Sequence, residues 1–255
     1  MSSTLGIIEV PSIPAHRMQH GAPAATLAAR RFSGKSLLEW IVRRVADSLL
    51  LDQVAVVTDE FQADVVRKLA PSDVPVFACD RPDELGRFAA AANHFGAAEL
   101  VRVPLACPFI DPELIDRLVC TAGANAGCDY IGFFSLDGRP AVLSKVGLFA
   151  EWCRASAASR ADRDAVSPHE RSEATRYIYS HPELFQLRFI PMPTKLDRPD
   201  VRLTVDVEED WDLAQTVLDA LGPEGLEWHR IAALLDQQPQ LRERMAGLNH
   251  VRVTS

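Results

Sequence analysis

The sequence has few cysteines and histidines, and neither type is arranged in a recognisable metal or redox motif. Five cysteines occur in 255 residues and none forms a C-x-x-C pair. An odd number without such a pair is typical of reduced intracellular thiols rather than a disulfide framework. The seven histidines do not place two ligands on one face of a predicted helix. We therefore expect no histidine-rich metal site.

The chain also lacks an excess of basic residues and any long apolar run. It has 27 Lys and Arg against 35 Asp and Glu, a net charge of -8, so its overall field repels the phosphates of DNA or RNA. No apolar run approaches the roughly 20 residues of a membrane helix, and the N-terminal segment lacks the pattern of a signal peptide. These features predict a cytoplasmic protein without a nucleic-acid partner and without membrane insertion. A locally basic pocket for one nucleotide is still compatible with them.

No Gly/Ser-rich linker or charge run divides the sequence, which predicts a single domain over residues 1–255. Strand-like and helix-like patterns alternate along most of it, and this predicts an α/β fold with a doubly wound, mostly parallel sheet. The predicted strands are Leu5–Ile13, Val54–Thr58, Val74–Ala78, Glu99–Pro104, Asp129–Phe134, Phe185–Ile190 and Val201–Val205. The predicted helices are Ser36–Leu49, Ala63–Ala70, Asp83–Phe95, one that opens at Asp111, and Glu208–Leu221.

The alternation changes after Ser135. A short segment at Ala141–Leu143 and a helix over Val146–Ala155 precede a polar stretch, SRADRDAVSPHER. This polar composition predicts that residues 135–185 include a protruding arm.

Six segments in order carry a resemblance to a known family. They are IPAHRM, GKSLLEWIVRRVADS, VAVVTDE, PDELGRFAAAA, LVRVPLACPFIDPELID and VRLTVDVEEDW. Together they resemble the cytidylyltransferases of acylneuraminate and deoxy-octulosonate, and most of all the branch of spore coat polysaccharide biosynthesis. The resemblance implies a nucleotide-diphospho-sugar transferase-like fold and transfer of CMP from CTP to a sugar or sugar acid. It also implies release of pyrophosphate, assistance by Mg²⁺, and a homodimer in which the arm at 135–185 contacts the second copy on the sugar side.

The same resemblance implies roles for individual residues around the nucleotide. Arg17 matches the arginine of the first loop that contacts the phosphates, and Asp206 matches a metal-binding aspartate. Asp83 and Arg87 lie in the segment that flanks the nucleotide pocket, and Arg102 lies in the strand that leads to the metal.

The sugar side is matched by a second segment. HERSEATRYI is similar to the family's R-E-H-V-T-P-Y-I, which implies that Arg171 and Tyr177 lie near the sugar.

The sequence departs from the family pattern in the phosphate loop and at one metal-binding position. Ala24 and Ala25 stand in place of the Gly-Lys pair of the phosphate loop, and Ala106 stands where a second metal-binding aspartate is expected. Loss of one preorganised charge-stabilising group commonly costs on the order of a hundred- to thousand-fold in rate. We therefore hypothesise weakened or lost catalysis, with Lys35 as a replacement cation that reaches back toward a phosphate from the next helix.

Alternative interpretations of these residues need no ligand. Arg17 is then a solvated loop cation, Arg87 a surface residue, and Asp83 and Asp206 the caps of the helices that follow them. At the level of function, the alternative to an enzyme is a non-catalytic nucleotide-binding or interaction protein of glycan synthesis. A glycosyltransferase is disfavoured because the D-x-D at Asp162–Asp164 lies in the polar arm.

Overall fold

The computed structural model describes residues 3–12 and 26–250, and within them a seven-stranded sheet is flanked by helices. The strands are β1 Thr4–Glu9, β2 Arg31–Phe32, β3 Lys35–Ser36, β4 Gln53–Asp59, β5 Val76–Cys79, β6 Glu99–Pro104, β7 Tyr130–Phe134, β8 Glu151–Arg154 and β9 Leu187–Pro191. The helices are α1 Thr26–Ala29, α2 Leu37–Ala46, α3 Ala63–Leu69, α4 Glu84–Phe95, α5 Pro112–Ala124, α6 Ala155–Asp164, α7 Pro168–Arg171, α8 Arg176–Ser180, α9 Glu208–Leu221, α10 Trp228–Gln237 and α11 Pro239–His250. A 3₁₀ turn covers Ala141–Leu143.

The main sheet has the order β5-β4-β1-β6-β8-β7-β9, and the short β2 and β3 form a separate hairpin. All strands of the main sheet run in one direction except β8, which is antiparallel to β6 and β7. The carboxyl ends of the six parallel strands therefore meet at one side of the sheet, which we call the carboxyl edge. Open α/β sheets bind ligands at this edge.

Both faces of the sheet are buried, as the prediction of a doubly wound sheet requires. Alternate residues of β1 contribute to different clusters: Leu5 and Ile7 pack with α4 and α6, whereas Ile8 packs with α2 and α5. This is the two-residue period of a strand that is covered on both sides. The predicted fold class is confirmed.

Local signals explain where the helices begin and end. Ser36 caps α2 by accepting a hydrogen bond from the Glu39 amide at 3.0 Å, and Asp83 caps α4 by accepting one from the Gly86 amide at 2.8 Å. Gly96 ends α4 in the left-handed conformation with φ of 62°. The predicted bounds of α9 and β6 agree with the structure residue for residue.

The helix predicted over Val146–Ala155 is wrong, because Glu151–Arg154 form strand β8 between β6 and β7. A short apolar run has no period that separates strand from helix, and the pairing partners decide. Val201–Val205, predicted as a strand, is buried but belongs to no ladder of the described sheet. Its amides instead donate to the carbonyl oxygens of Lys145 and Ala106.

The segment 135–185 is incorporated into the main body more than its composition predicts. It supplies β8 to the sheet, and α6 packs on α4 through the buried Ala157, Ala158 and Ala161. Small alanines on one face of α6 permit this close packing, whereas its other face carries the charges that dominate the composition. Leu136 and Val166 stay exposed in loops of this segment.

Across residues 3–12 and 26–250, the helices fall short of the length and apolar character that a membrane crossing needs.

Candidate functional site

A small cavity lies at the carboxyl end of β1, against the start of α4. Its volume is about 200 Å³, and we call it the β1–α4 cavity. It is lined by Pro11, Ser12, Pro82, Asp83, Glu84, Arg87 and Ser172. The cavity thus brings together the two residues, Asp83 and Arg87, that the family resemblance places beside the nucleotide.

Asp83 joins the cavity to the segment expected on the sugar side. Besides capping α4, its carboxylate accepts a hydrogen bond from Arg171 Nε at 2.9 Å. The Arg171 guanidinium also contacts the Asp162 carboxylate and donates to the carbonyl oxygens of Asp162 and Ala165 at 2.8 and 3.0 Å. Arg171 therefore contacts Asp83, a residue that the resemblance places beside the nucleotide. Asp83 both caps α4 and lines the β1–α4 cavity.

Arg87 is a buried ion-pair residue, so the interpretation as a surface residue is wrong. Its side chain is 1% exposed, and it donates to Glu9 at 3.0 and 2.9 Å and to the Arg81 carbonyl at 3.2 Å. Burial, reinforced by the charge of Glu84, raises the pKa of Glu9 to about 8 against the opposing influence of Arg87 and Arg102. Glu9 Oε2 has no hydrogen-bond partner among the described residues.

Arg102 and Glu151 continue this buried charge network across the sheet. Arg102 donates to Glu151 at 2.9 Å and contacts Glu84 at 3.5 Å. The Glu151 carboxylate also accepts hydrogen bonds from the hydroxyls of Tyr130 at 2.6 Å and Thr175 at 2.8 Å. Arg102 is thus held by protein carboxylates.

Asp206, the expected metal ligand, lies just before α9 and is paired with a lysine. Its Oδ2 is 3.0 Å from Lys145 Nζ, 2.8 Å from the Thr204 hydroxyl and 3.6 Å from an Arg202 nitrogen. Burial acts to raise the pKa of Asp206, but the hydrogen bonds from Lys145 and Thr204 hold it below its ordinary value. This carboxylate is ionised at neutral pH.

The capping interpretation of Asp206 is not what the structure shows. Helix α9 begins after Val207, and the carboxylate of Asp210 accepts from the amides of Asp206 and Val207 at 2.8 and 3.0 Å. Arg202 in turn holds Asp210 at 2.6 and 2.9 Å. Asp210 therefore caps the N-terminus of α9, and the Asp206 carboxylate takes no part in that cap.

Ala106, which stands where the resemblance implies a second metal-binding aspartate, lies beside this segment. The Val205 amide donates to the Ala106 carbonyl at 2.9 Å. The neighbouring Cys107 is buried, and burial raises the pKa of its thiol to about 12, with Asp206 adding to the rise and Arg102 and Lys145 opposing it. The Cys107 thiol is therefore protonated at neutral pH.

Three other predicted site residues are placed elsewhere or outside the described chain. Lys35 is half exposed and pairs with Glu39 at 3.5 Å. Tyr177 packs in the core against the rings of His181 and Phe185, with centroids 4.2 and 6.0 Å away. Arg17, like Ala24 and Ala25, lies outside the described residues. The described structure thus does not bring Lys35 or Tyr177 to the β1–α4 cavity.

A larger cavity of about 570 Å³ opens beyond the carboxyl ends of β7 and β9, and we call it the Lys145 cavity. It is lined by Ser135, Leu136, Asp137, Arg139, Leu143, Ser144, Lys145, Val146, Met192, Asp197, Arg198, Pro199, Val201 and Asn249. Its volume is in the range of ordinary small-molecule sites. Lys145 faces this cavity and also contacts Asp206.

Sequence reasoning missed Lys145, Glu9 and Glu151. For the two glutamates a signal exists, since each is a charged residue in an apolar buried strand, and such residues are normally paired. For Lys145 there is no sequence signal, because its partner is distant in the chain and neither lies in a shared motif.

The mostly parallel seven-stranded sheet, with its single antiparallel strand and flanking helices, matches a nucleotide-diphospho-sugar transferase fold. A model of the MobA-like NTP transferase domain matches residues 16–182, more than half of the chain. The protein belongs to the MobA-like NTP transferase family, and within it is cytidylyltransferase-like.

Two curated proteins are similar over most of their length. An uncharacterized protein of Methanocaldococcus jannaschii is 27% identical over 214 residues, which cover 83% of this chain and 84% of that protein. The spore coat polysaccharide biosynthesis protein SpsF of Bacillus subtilis is 24% identical over 200 residues, which cover 76% and 80%. The printed name of the second relative places that protein in spore coat polysaccharide biosynthesis.

Solved structures share the fold at low identity. A cytidylyltransferase from Leptospira borgpetersenii has a TM-score of 0.77 at 21% identity, with 94% of this chain and 95% of that chain covered. A CMP-2-keto-3-deoxy-manno-octonic acid synthetase complexed with CTP has a TM-score of 0.61 at 10% identity, with 86% and 99% covered. A Mycobacterium tuberculosis protein complexed with manganese has a TM-score of 0.54 at 13% identity, with 83% and 97% covered.

The residues present do not fit a divalent metal such as the manganese bound by the Mycobacterium tuberculosis protein. Asp206 supplies one carboxylate, already paired with Lys145, and Ala106 supplies no side-chain ligand. In the described parts of the chain no group of three or more His, Cys, Asp or Glu side chains is arranged to hold a metal ion. Mg²⁺ demands a set of oxygen ligands, and this site offers a single engaged carboxylate.

Proposed function

We propose that this protein binds a cytidine nucleotide at the carboxyl edge and acts in glycan biosynthesis by transferring CMP from CTP to a sugar or sugar acid. In that reaction a sugar hydroxyl oxygen bonds to the α-phosphorus of CTP, the bond to the β-phosphate breaks, and pyrophosphate leaves as the hydroxyl proton passes to solvent. The observation that carries the proposal is the β1–α4 cavity, whose walls include Asp83 and Arg87 at the end of the central strand. Family membership supports the reaction class.

The chemistry of the β1–α4 cavity suits one end of a nucleotide. Its volume of about 200 Å³ is below that of a site for a whole ligand, so it takes a single ring. Asp83 and Glu84 supply carboxylate oxygens, and Ser12 and Ser172 supply hydroxyls. A carboxylate accepts a hydrogen bond from the N4 amino group of cytosine, and the O4 oxygen of a uracil ring offers no donor there.

The Lys145 cavity suits the acceptor. Residues 135–146, the beginning of the segment predicted to face the sugar, form much of its lining. Acidic, basic and amide groups alternate around it, among them Asp137, Arg139 and Asn249. Such a lining hydrogen-bonds the hydroxyls of a sugar, and its cations suit a sugar carboxylate.

A second candidate function is nucleotide binding without transfer. Ala106 and the pairing of Asp206 with Lys145 favour it, because both features remove metal ligands that would stabilise charge on the triphosphate. The protein then serves a partner in glycan synthesis instead of making the activated sugar.

Calorimetric titration with CTP, CMP and GTP, followed by a pyrophosphate-release assay with a panel of acidic sugars, separates these functions. Binding of CTP with release of pyrophosphate supports transfer, and binding of CTP alone supports the second candidate. Asp83→Asn, which keeps the size and the capping oxygen, is expected to weaken CTP binding by about tenfold because a charged acceptor is lost. Asp64→Asn on the exposed face of α3 is the matched control. Absence of CTP and CMP binding in the wild type overturns the proposal.

The proposal includes a homodimer. Leu136, Leu143 and Phe189 are exposed apolar residues near the β9 side of the sheet, and in the described chain β9 pairs only with β7. An exposed edge strand with apolar neighbours favours association with a second copy.

A further inference from the structure

A protein cation contacts the residue that the family resemblance assigns to the metal. Lys145 Nζ lies 3.0 Å from Asp206 Oδ2, and Asp206 is the residue that matches a metal ligand of the family. The neighbouring Ala106 offers no second carboxylate. The arrangement therefore has one negative charge and one permanent positive charge, in place of two negative charges and a metal.

Backbone contacts fix Lys145 in this place. Its carbonyl oxygen accepts hydrogen bonds from the amides of Leu203 at 2.7 Å and Thr204 at 3.2 Å, two residues before Asp206. Gly147 has φ of 68°, and a Cβ there would come within 2.8 to 2.9 Å of the Leu203 and Thr204 backbone. The backbone around Lys145 and Gly147 thus packs directly on the backbone of Leu203 and Thr204, and these main-chain contacts hold Lys145 close to Asp206.

Asp206 is held from its other side as well. Thr204 donates to the same oxygen as Lys145 at 2.8 Å, and Arg202 lies 3.6 Å away while it is bound to Asp210. The Asp206 side chain is 22% exposed and the Lys145 side chain 36% exposed. Lys145 lines the Lys145 cavity, so its side chain is open to a ligand there.

We propose that Lys145 is a built-in cation that replaces the divalent metal at Asp206, so that this site binds the phosphates of a nucleotide without a metal ion. A lysine ammonium is a compact point charge with three donors, and it can contact Asp206 and a phosphate oxygen at once. Without it, Asp206 would repel a phosphate. The inference rests on the proposed nucleotide binding and concerns how the charge is balanced.

The competing explanation is an ordinary ion pair at the surface, which has no effect on ligands. Exposed pairs contribute little, and their removal leaves binding at a cavity unchanged. The two explanations differ in one measurable property, which is the effect of a metal chelator on nucleotide affinity before and after the lysine charge is removed.

The first experiment is calorimetric titration with CTP in EDTA and in Mg²⁺. We expect the wild-type affinity to agree within about threefold in the two buffers. Lys145→Met keeps the aliphatic stem and removes the charge, and we expect it to weaken binding in EDTA by about tenfold or more and to regain part of the loss in Mg²⁺. Lys68→Met on the exposed side of α3 is the control and should behave like the wild type.

The outcomes separate this inference from the proposed function. Binding of CTP by the wild type in Mg²⁺ but not in EDTA leaves the proposed function standing and overturns the inference. Equal affinity of Lys145→Met and the wild type in EDTA also overturns it. No CTP binding in either buffer overturns the proposed function, and the second experiment then decides the inference.

The second experiment measures Mn²⁺ binding without nucleotide by the electron paramagnetic resonance of free Mn²⁺. We expect no saturable site near Asp206 in the wild type and one site per chain in the double variant Ala106→Asp, Lys145→Met, which restores two free carboxylates. If the double variant does not fold, Lys145→Met alone is compared with Lys145→Met, Asp206→Asn. A wild-type Mn²⁺ site that Asp206→Asn abolishes contradicts the inference, whether or not CTP binds.

Discussion

Arg87 and Glu9 form an ion pair with an Nη2–Oε1 distance of 2.9 Å, and both side chains are almost fully withdrawn from solvent. The pair joins the end of β1 to α4 directly beneath the β1–α4 cavity. Burial of two charges costs several kcal/mol that their attraction only partly returns. Desolvation therefore raises the pKa of the Glu9 carboxyl group at the end of the central strand, although Arg87 opposes the rise.

We predict that Glu9 makes stability fall as pH rises. Its folded pKa of about 8 is above its ordinary value of 4.5, so between these values the folded state holds a proton that the unfolded chain releases. The stabilisation is complete below pH 4.5 and is lost as pH rises to 8. Urea unfolding at pH 5, 6, 7 and 8 should show a flatter profile for Glu9→Gln than for the wild type. The exposed Glu183→Gln is the control, and an unchanged slope in Glu9→Gln would refute the prediction.

Tyr130→Phe should destabilise the fold by about 1–3 kcal/mol. The Tyr130 hydroxyl donates at 2.6 Å to the buried carboxylate of Glu151, and its loss leaves that carboxylate with one donor fewer. Chemical denaturation measures the change. Tyr179→Phe is the matched control, because its hydroxyl makes a longer contact of 3.4 Å with Glu173 in a less buried place. Equal losses in the two variants would contradict a special role for the Glu151 network.

Gly147→Ala should cost about 2 kcal/mol or more, because a left-handed backbone and a steric clash act together. The added Cβ would lie 2.8 Å from the Leu203 carbonyl carbon. Gly138→Ala is the control for the backbone alone: φ is 81° there, but no atom within 4 Å meets the added Cβ, and its cost should stay near 1 kcal/mol. Thermal or urea unfolding compares the two variants. A smaller loss at Gly147 than at Gly138 would show that the two segments are not tightly packed.

Phe189→Asp should convert the proposed dimer to a monomer. Phe189 is 42% exposed on the edge strand β9, and a charge at this position opposes pairing of two such edges. Sedimentation velocity should give the wild type twice the chain mass of 28.1 kDa and the variant one chain mass. Phe61→Asp, which changes an exposed phenylalanine outside both β9 and the arm at 135–185, should remain dimeric. A monomeric wild type would refute the dimer.

Most of the fold follows from local patterns in the sequence. The apolar period and the acidic first turn place α9 at Glu208–Leu221, and alternating strand and helix patterns predict the parallel sheet. The exception is β8, because Glu151–Arg154 becomes a strand through pairing with β6 and β7, which are distant in the sequence. Pairing between distant strands leaves no period in a four-residue segment.

The candidate site was predictable in part. The capping aspartate Asp83 and the altered position Ala106 can both be read from local motifs, and the structure places Asp83 at the β1–α4 cavity. Tyr177 also stands in a matching motif, yet its ring packs in the core. A motif fixes the order of residues along the chain, whereas the direction of a side chain depends on what the surrounding elements leave room for.

The kind of sheet, the family and the missing side-chain ligand at Ala106 can all be read from the amino-acid sequence, because they depend on neighbouring residues and their order. The burial of Arg87 against Glu9 and the contact of Lys145 with Asp206 become visible only in the folded chain. Ion pairs between distant residues form where the fold brings two backbone segments together. The identity of a charged residue does not show whether its side chain contacts solvent, a metal or another charge.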